Sequence, residues 1–163
     1  MRVSAYFRFA ELVRSDTARA LGIANRPPIR VLKSLRRLAT GLDRVRRLVG
    51  RPLEISSGYR SPLLNRAVGG SARSRHQLGL AADFVCARFG TPLEICRAIQ
   101  RARLPFEQLI YEYGDRRDRG WVHISFGRRG RREVLTIRTR CWRGYKSASF
   151  WGWRGFGGTS ALT

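Results

Sequence analysis

The stretch Ser74-Arg75-His76-Gln77-Leu78-Gly79-Leu80-Ala81-Ala82-Asp83 sets a histidine seven residues ahead of an aspartate, and Trp121-Val122-His123 ends forty residues after that aspartate. His76 and His123 are the only histidines in the chain. A catalytic zinc site needs three protein ligands and one open position, and imidazole together with carboxylate is a suitable ligand set. The sequence therefore predicts that His76, Asp83 and His123 bind zinc, whereas the alternative is two hydrogen-bonded structural histidines.

The residues around these three predict how the backbone presents them. Glycines in the Val68-Gly69-Gly70 run and at Gly79 allow sharp turns that a residue with a Cβ would resist. Asp83 is expected to end a small-residue turn just before an apolar strand. Apolar residues alternate from Val122 to Phe126, which predicts that His123 lies on a strand whose other face is buried.

Further motifs give the chain a recognisable pattern. They are Ser57-Gly58-Tyr59-Arg60-Ser61-Pro62, Asn65, Gly69-Gly70, Ser74-x-His76-x-x-Gly79-x-Ala81-x-Asp83, Gln108-Leu109-Ile110-x-Glu112 and Trp121-Val122-His123. With these motifs the chain resembles the zinc D-Ala-D-Ala carboxypeptidase family over about residues 7 to 126. The opening segment, with Glu11-Leu12 and Asn25-x-Pro27, is similar to the phage-type branch of that family.

The resemblance implies an α+β fold of the hedgehog/DD-peptidase type, zinc bound by His76, Asp83 and His123, and a carboxylate that acts as general base. Many relatives carry this acid three residues before the second histidine, but here that position is Gly120. In the phage-type branch the acid ends the preceding strand, which points to Glu112. Two acids of the following loop, Asp115 and Asp118, are the alternative bases.

The position of Glu112 depends on strand register. If Gln108–Glu112 pairs antiparallel with Trp121–Phe126 so that Glu112 faces Trp121, Ile110 faces His123 and the acid shares a face with this histidine. Diagonal neighbours on such a face lie about 7 to 8 Å apart, within reach of a water on the metal. A slip of one residue would put Glu112 and His123 on opposite faces.

Three further residues are candidates for substrate contacts. The resemblance places Arg60 beside the metal, where a guanidinium holds a substrate carboxylate or stabilises an oxyanion; its alternative is a solvated surface charge. Ser74 is expected to bond the substrate peptide or, alternatively, to cap a turn. Trp121 is the third substrate-binding candidate.

The pattern of apolar and turn residues predicts an α-rich first third followed by a mostly antiparallel sheet. We expect one or two short helices from Phe9 to Leu21, with Ser15 as an internal cap, and a long helix that Pro27-Pro28 opens and Gly50 ends. The core stripe expected for that helix is Ile29, Leu32, Leu35, Leu38, Leu42, Val45 and Leu48. Strands are expected at Leu53–Ser57, Ala81–Cys86, Gln108–Glu112, Trp121–Phe126 and Glu133–Arg138, with shorter helices at Leu63–Val68 and from a capping box at Thr91 to about Arg103.

The chain changes character after Arg138. Residues 139–163 mix aromatics, arginine and glycine without a helical or strand period, so we divide the chain into a zinc peptidase domain, 1–138, and a tail, 139–163. Such a mixture suits anionic membrane interfaces, including lipopolysaccharide, and also stacking on nucleic-acid bases. The alternative is that these aromatics pack on the domain.

The composition of the chain indicates which kinds of partner it attracts. The formal net charge is +22, and all but Lys33 and Lys146 of the 33 basic residues are arginine, which predicts strong attraction to polyanions. No specific nucleic-acid motif is present. Three cysteines, Cys86, Cys96 and Cys141, form no Cys-x-x-Cys pair, which indicates a reducing site of synthesis.

Three functions follow as hypotheses. The first is a monomeric, endolysin-like zinc peptidase of phage type that degrades peptidoglycan, with the attendant antimicrobial action. Without the apolar run of a signal peptide, we expect synthesis in the cytoplasm and action on the cell wall, in the periplasm, after release. The second is a non-catalytic zinc module of hedgehog type. The third is an arginine-rich binder of polyanions or nucleic acid with steep salt dependence.

Overall fold

A computed structural model describes residues 1–116, 119–127, 132–142 and 145–152. The fold is α+β, with helices concentrated in the first half and one mixed sheet of six strands. The helices are α1 Phe9–Val13, α2 Asp16–Ala20, α3 Ile29–Val49, α4 Pro62–Ala67, the 3₁₀ helix η1 Arg75–Leu78 and α5 Pro92–Arg101. The strands are β1 Glu54–Ser57, β2 Ala81–Val85, β3 Gln108–Arg116, β4 Arg119–Ser125, β5 Glu133–Trp142 and β6 Tyr145–Gly152.

The order of strands across the sheet is β1-β2-β4-β3-β5-β6, and only the β3–β5 pair is parallel. The predicted mostly antiparallel sheet is thus confirmed. Strand β4 pairs with β2 on one side and β3 on the other, which sets Asp83 and Ile110 opposite His123. This arrangement puts residues from three strands at the centre of one sheet face.

Helix ends follow the chemistry of their caps. Ser15 accepts a hydrogen bond from the backbone N–H of Ala18, and Thr91 with Glu94 forms the predicted capping box. Helix α3 ends at Gly50, whose φ of 63° is the left-handed conformation that favours glycine. These caps fix where α2 and α5 begin and where α3 ends.

The core lies between α3, α5 and the sheet. The middle of the predicted α3 stripe is buried, but Ile29 is 88% exposed and Leu48 is also exposed. Their assignment to the core was wrong, because at about 100° per residue Ile29 faces away from the stripe. Val31 and Val49 take part in the core instead.

Three other expectations need correction or extension. Asp83 lies inside β2 rather than at the end of a turn before it. The 3₁₀ helix η1 was not predicted. Strand structure also continues past residue 138, where the sequence shows no strand period, because β5 runs to Trp142 and pairs with β6.

The cysteines and the hydropathy of the helices complete the description of the fold. Cys86 and Cys96 are free and buried, whereas the side chain of Cys141 lies outside the described residues. Within the described ranges, no helix is long and apolar enough to cross a membrane.

Candidate active site

The three predicted ligands converge at the centre of the sheet face. His76 comes from η1, Asp83 from β2 and His123 from β4, and all three are buried. His123 Nδ1 lies 2.8 Å from Asp83 Oδ1 and 3.2 Å from His76 Nε2, and the last two atoms are also 3.2 Å apart. One ligand atom from each residue thus points to a common position.

This triangle fits zinc. A tetrahedral zinc with bonds of about 2.0–2.2 Å holds its ligand atoms about 3.3–3.6 Å apart, so the triangle admits the ion once its shortest edge, between His123 and Asp83, widens by at least about 0.5 Å. Three protein ligands leave a fourth position for water or substrate, as in catalytic zinc sites. The donor set of two imidazoles and one carboxylate is the one that the sequence predicted.

A backbone carbonyl fixes the orientation of His76. The ring nitrogen Nδ1 donates a hydrogen bond of 2.6 Å to the carbonyl oxygen of Gly58, an atom that only accepts. The proton is thereby held on Nδ1, and Nε2 presents its lone pair to the metal position. Gly58 is tightly packed, since a Cβ there would lie 2.2 Å from the carbonyl oxygen of Leu12.

Asp83 has polar partners on both of its carboxylate oxygens. Oδ1 contacts the two histidines, and Oδ2 accepts a hydrogen bond from Arg60 Nη2. Burial opposes ionisation of this carboxyl, but the two histidines outweigh it and hold its pKa below the usual range. Asp83 is therefore a carboxylate, the form that binds a metal.

Arg60 is anchored as well as charged. Its Nε donates to Ser57 Oγ at 2.8 Å, while Nη2 binds Asp83, and the side chain is mostly buried. Ser57 stands opposite Asp83 in the β1–β2 pair, so the sheet itself positions this anchor. The structure thus excludes the alternative of a solvated surface charge for Arg60.

Glu112 stands beside the ligands in the predicted register. It faces Trp121 across the β3–β4 pair, and Ile110 faces His123, so the acid and His123 share a sheet face. Burial raises the pKa of Glu112 to about 7, and the charge of Asp83 adds to this shift. His123, Arg60 and the indole N–H of Trp121 act in the opposite direction.

The position where many relatives would carry the acid is closed to side chains. Gly120 has φ 142°, and a Cβ there would lie 2.6 Å from the carbonyl oxygen of Glu112. Of the alternative bases, the side chain of Asp115 and the whole of Asp118 lie outside the described residues.

The site opens into a cavity of about 640 Å³. Although the net charge is +22, four of the 11 acidic residues line this cavity: Asp83, Glu107, Glu112 and Glu133. Three arginines, Arg60, Arg73 and Arg75, line it as well, and two of them pair with Asp83 and Glu107.

The remaining candidates lie on the cavity wall. The hydroxyl of Ser74 accepts a hydrogen bond of 3.3 Å from the backbone N–H of His76 and so caps η1. This is the role in capping a turn that the sequence offered as the alternative to a contact with substrate. Trp121 packs against Tyr113 with ring centroids 5.1 Å apart. Its buried Nε1 is near the Glu112 carboxylate but has no partner in full hydrogen-bonding geometry within the described part of the chain.

Sequence reasoning missed several contributors to the site. They are the Gly58 carbonyl, the Ser57 hydroxyl, Tyr113 and the ion pair between Arg75 and Glu107. Ser57, Gly58 and Arg75 belonged to quoted stretches of sequence, but nothing in those stretches indicated what each residue contacts.

One comparison with known proteins identifies a family. A family model described as Peptidase M15 matches residues 5–125, about three quarters of the chain, and the match spans all three metal ligands. A search of curated proteins found no match.

Proposed function

Because the chain belongs to the peptidase M15 family, a family of zinc metallopeptidases that act on peptidoglycan, we propose that it hydrolyses peptide bonds in peptidoglycan stem peptides or their crosslinks. The observation that carries this proposal is the convergence of His76, Asp83 and His123, whose ligand atoms lie within 4.8 Å of one another beside a half-buried acid, Glu112, and a half-buried arginine, Arg60. When bound, zinc lowers the pKa of a coordinated water and polarises a scissile carbonyl.

Glu112 is the proposed general base. It lies on the same sheet face as His123, and burial keeps its pKa near neutrality, where a carboxylate both takes and returns a proton. In this role it removes the proton of the attacking water and passes it to the leaving amine.

Arg60 and Trp121 are the proposed substrate-binding residues. A guanidinium has five N–H donors, and Arg60 has further donors beyond the two that bind Ser57 and Asp83. We assign these donors to the substrate carboxylate or to the oxyanion that forms during hydrolysis. Trp121 and Tyr113 supply an aromatic wall, and Ser74 contributes through its cap on η1 and a hydrogen bond to the peptide.

An endolysin-like endopeptidase and a D-Ala-D-Ala carboxypeptidase both fit this chemistry, and we favour the endolysin-like role of the phage-type branch. The protein then acts as a monomer on the cell wall after its release from the cytoplasm. A non-catalytic zinc module has no need of a half-buried acid with a raised pKa beside the metal, so Glu112 disfavours that alternative.

The experiment is a comparison of Glu112→Gln with Glu54→Gln, which changes an exposed acid of β1 in the same way. Both zinc-loaded proteins are assayed on purified peptidoglycan, with zinc content measured in parallel. We expect Glu112→Gln to keep its zinc and lose about 100-fold or more of the rate, as loss of a general base does. Near wild-type turnover would transfer the role to Asp115 or Asp118, and no hydrolysis by the wild type would refute the peptidase proposal.

A further inference from the structure

A basic trough lies outside the catalytic cavity, along α3. Four basic residues of α3 line it, Arg30, Lys33, Arg37 and Arg44. Their spacing of three, four and seven residues puts them on one stripe of the helix, about 21 Å long at 1.5 Å per residue. Two neighbouring cavities, of about 420 and 370 Å³, follow this stripe and share Arg37 and Gly127.

The trough has a cationic wall and an apolar floor. The floor includes Phe106 and Phe126, and the Phe126 ring approaches α3 closely because Gly41 has no side chain. A Cβ at Gly41 would lie 2.6 Å from that ring. Glycine inside a helix costs about 1 kcal/mol relative to alanine, so the close approach has a cost in stability.

No acidic side chain in the described part of the chain pairs with these four cations. None of them forms an ion pair or a side-chain hydrogen bond within the described residues. The single acid of α3, Asp43, is buried and accepts hydrogen bonds from Ser4 Oγ and the backbone N–H groups of residues 5 and 6. Like charges at i and i+4, such as Lys33 and Arg37, repel each other, and a bound anion relieves this repulsion.

The trough meets the catalytic cavity at an ion pair. Arg75 and Glu107 bind each other, and both residues line the first trough cavity as well as the cavity that contains His76. The trough and the catalytic cavity therefore share part of their lining. A length of about 21 Å corresponds to about six extended residues, which suits a polymer strand rather than a flat bilayer.

We propose that this trough binds an extended, carboxylate-bearing strand of the polymer that the catalytic cavity cleaves. The inference rests on the proposed function, and it adds a binding site for the substrate beyond the scissile bond. Arginine is suited to the role because its guanidinium binds a carboxylate bidentately.

Two double variants of α3 test the proposal. Arg37→Gln with Arg44→Gln removes two charges from the trough, whereas Arg36→Gln with Arg47→Gln removes two exposed charges of the same helix that do not line it. Glutamine has nearly the helix propensity of arginine, so thermal unfolding should be unchanged in both. Each pair is combined with Glu112→Gln, so that the zinc-loaded protein binds peptidoglycan without degrading it.

The measurement is co-sedimentation with purified sacculi from which attached phosphate polymers have been removed, at about 150 mM salt, where long-range charge effects are screened within about 8 Å. We expect the trough pair to weaken binding about tenfold and the control pair less than threefold. Amidation of the sacculus carboxylates should abolish the difference between the two pairs. Equal weakening by both pairs would overturn the proposal, as would binding that needs the phosphate polymers.

Duplex DNA serves as the competing polyanion. We expect both pairs to weaken DNA binding equally, because that attraction depends on total charge. A trough-specific loss for DNA but not for sacculi would overturn the proposal in favour of a nucleic-acid partner. Hydrolysis of a small soluble peptide by both pairs, with Glu112 intact, should match the wild type; failure of the wild type in that assay would instead refute the proposed peptidase activity.

Discussion

Replacing Glu112 by glutamine should stabilise the metal-free protein while it abolishes catalysis. Burial and the charge of Asp83 raise the pKa of Glu112 from 4.5 to about 7 in the folded chain. The difference of about 2.5 pKa units corresponds to about 3 kcal/mol at 1.36 kcal/mol per unit. Glutamine keeps the shape of the side chain without ionising, so it avoids this cost.

Proton linkage gives the direction in which the folding stability changes with pH. The folded state holds the Glu112 proton more strongly than the unfolded state, so the favourable contribution is fully present below pH 4.5 and is lost as the pH rises to about 7. Above pH 7 the loss is complete. Glu112→Gln should therefore match the wild type near pH 4.5 and exceed it by up to about 3 kcal/mol at pH 8.

Urea unfolding of chelator-treated wild type and Glu112→Gln at pH 4.5, 6 and 8 measures the effect, with Glu54→Gln as the control for loss of one exposed acid. Bound zinc should reduce the extra stability of Glu112→Gln over the wild type, because a divalent cation beside the Glu112 carboxylate lowers its pKa. Equal stabilities of wild type and Glu112→Gln at pH 8, without metal, would refute the view that ionising the half-buried Glu112 side chain costs stability.

Three further predictions concern the ligands, the turn that carries one of them, and the end of the chain. His76→Ala and His123→Ala should each lose zinc in metal analysis, since both rings converge with Asp83 on one position; stoichiometric zinc in both variants would exclude this ligand set. Gly79→Ala should lower the free energy of unfolding by about 1–3 kcal/mol, because Gly79 has φ 64° and a Cβ there would lie 2.6 Å from Val31 Cγ1; an unchanged urea midpoint would contradict this packing. Deleting residues after Arg140 should weaken binding to acidic vesicles at low salt and leave hydrolysis of a small peptide nearly unchanged. Because the deletion also removes β6 from the edge of β5, thermal unfolding must accompany it, and a large fall in Tm with loss of soluble activity would make the segment structural.

The sequence predicted those features that depend on local pattern. Caps at Ser15 and Thr91, the end of α3 at Gly50 and the strand that carries His123 each follow from a few neighbouring residues. The register of Glu112 against Trp121 was predicted only as a condition, and the structure meets that condition. Ile29 shows the limit of such reasoning, since an apolar residue at the first turn of a helix need not face the core.

Contacts between segments that are distant in the chain could not be predicted from the sequence. The bond from His76 to the Gly58 carbonyl spans 18 residues, and that from Arg75 to Glu107 spans 32. Nothing in periodicity or spacing says which of 31 arginines meets a given acid, because that choice depends on how η1 packs against the sheet. The basic trough is a further case, since its floor joins α3 to residues more than sixty positions away.

Mass spectrometry of purified peptidoglycan after incubation with the protein tests the central claim most directly. The zinc-loaded protein should release muropeptides with a newly formed amine and carboxylate at one peptide bond, and the identity of that bond distinguishes an endopeptidase from a carboxypeptidase. Chelation should abolish these products, and added zinc should restore them. Products that persist unchanged after complete removal of the metal, or an unaltered muropeptide profile with zinc bound, would contradict a zinc peptidase that acts through His76, Asp83 and His123.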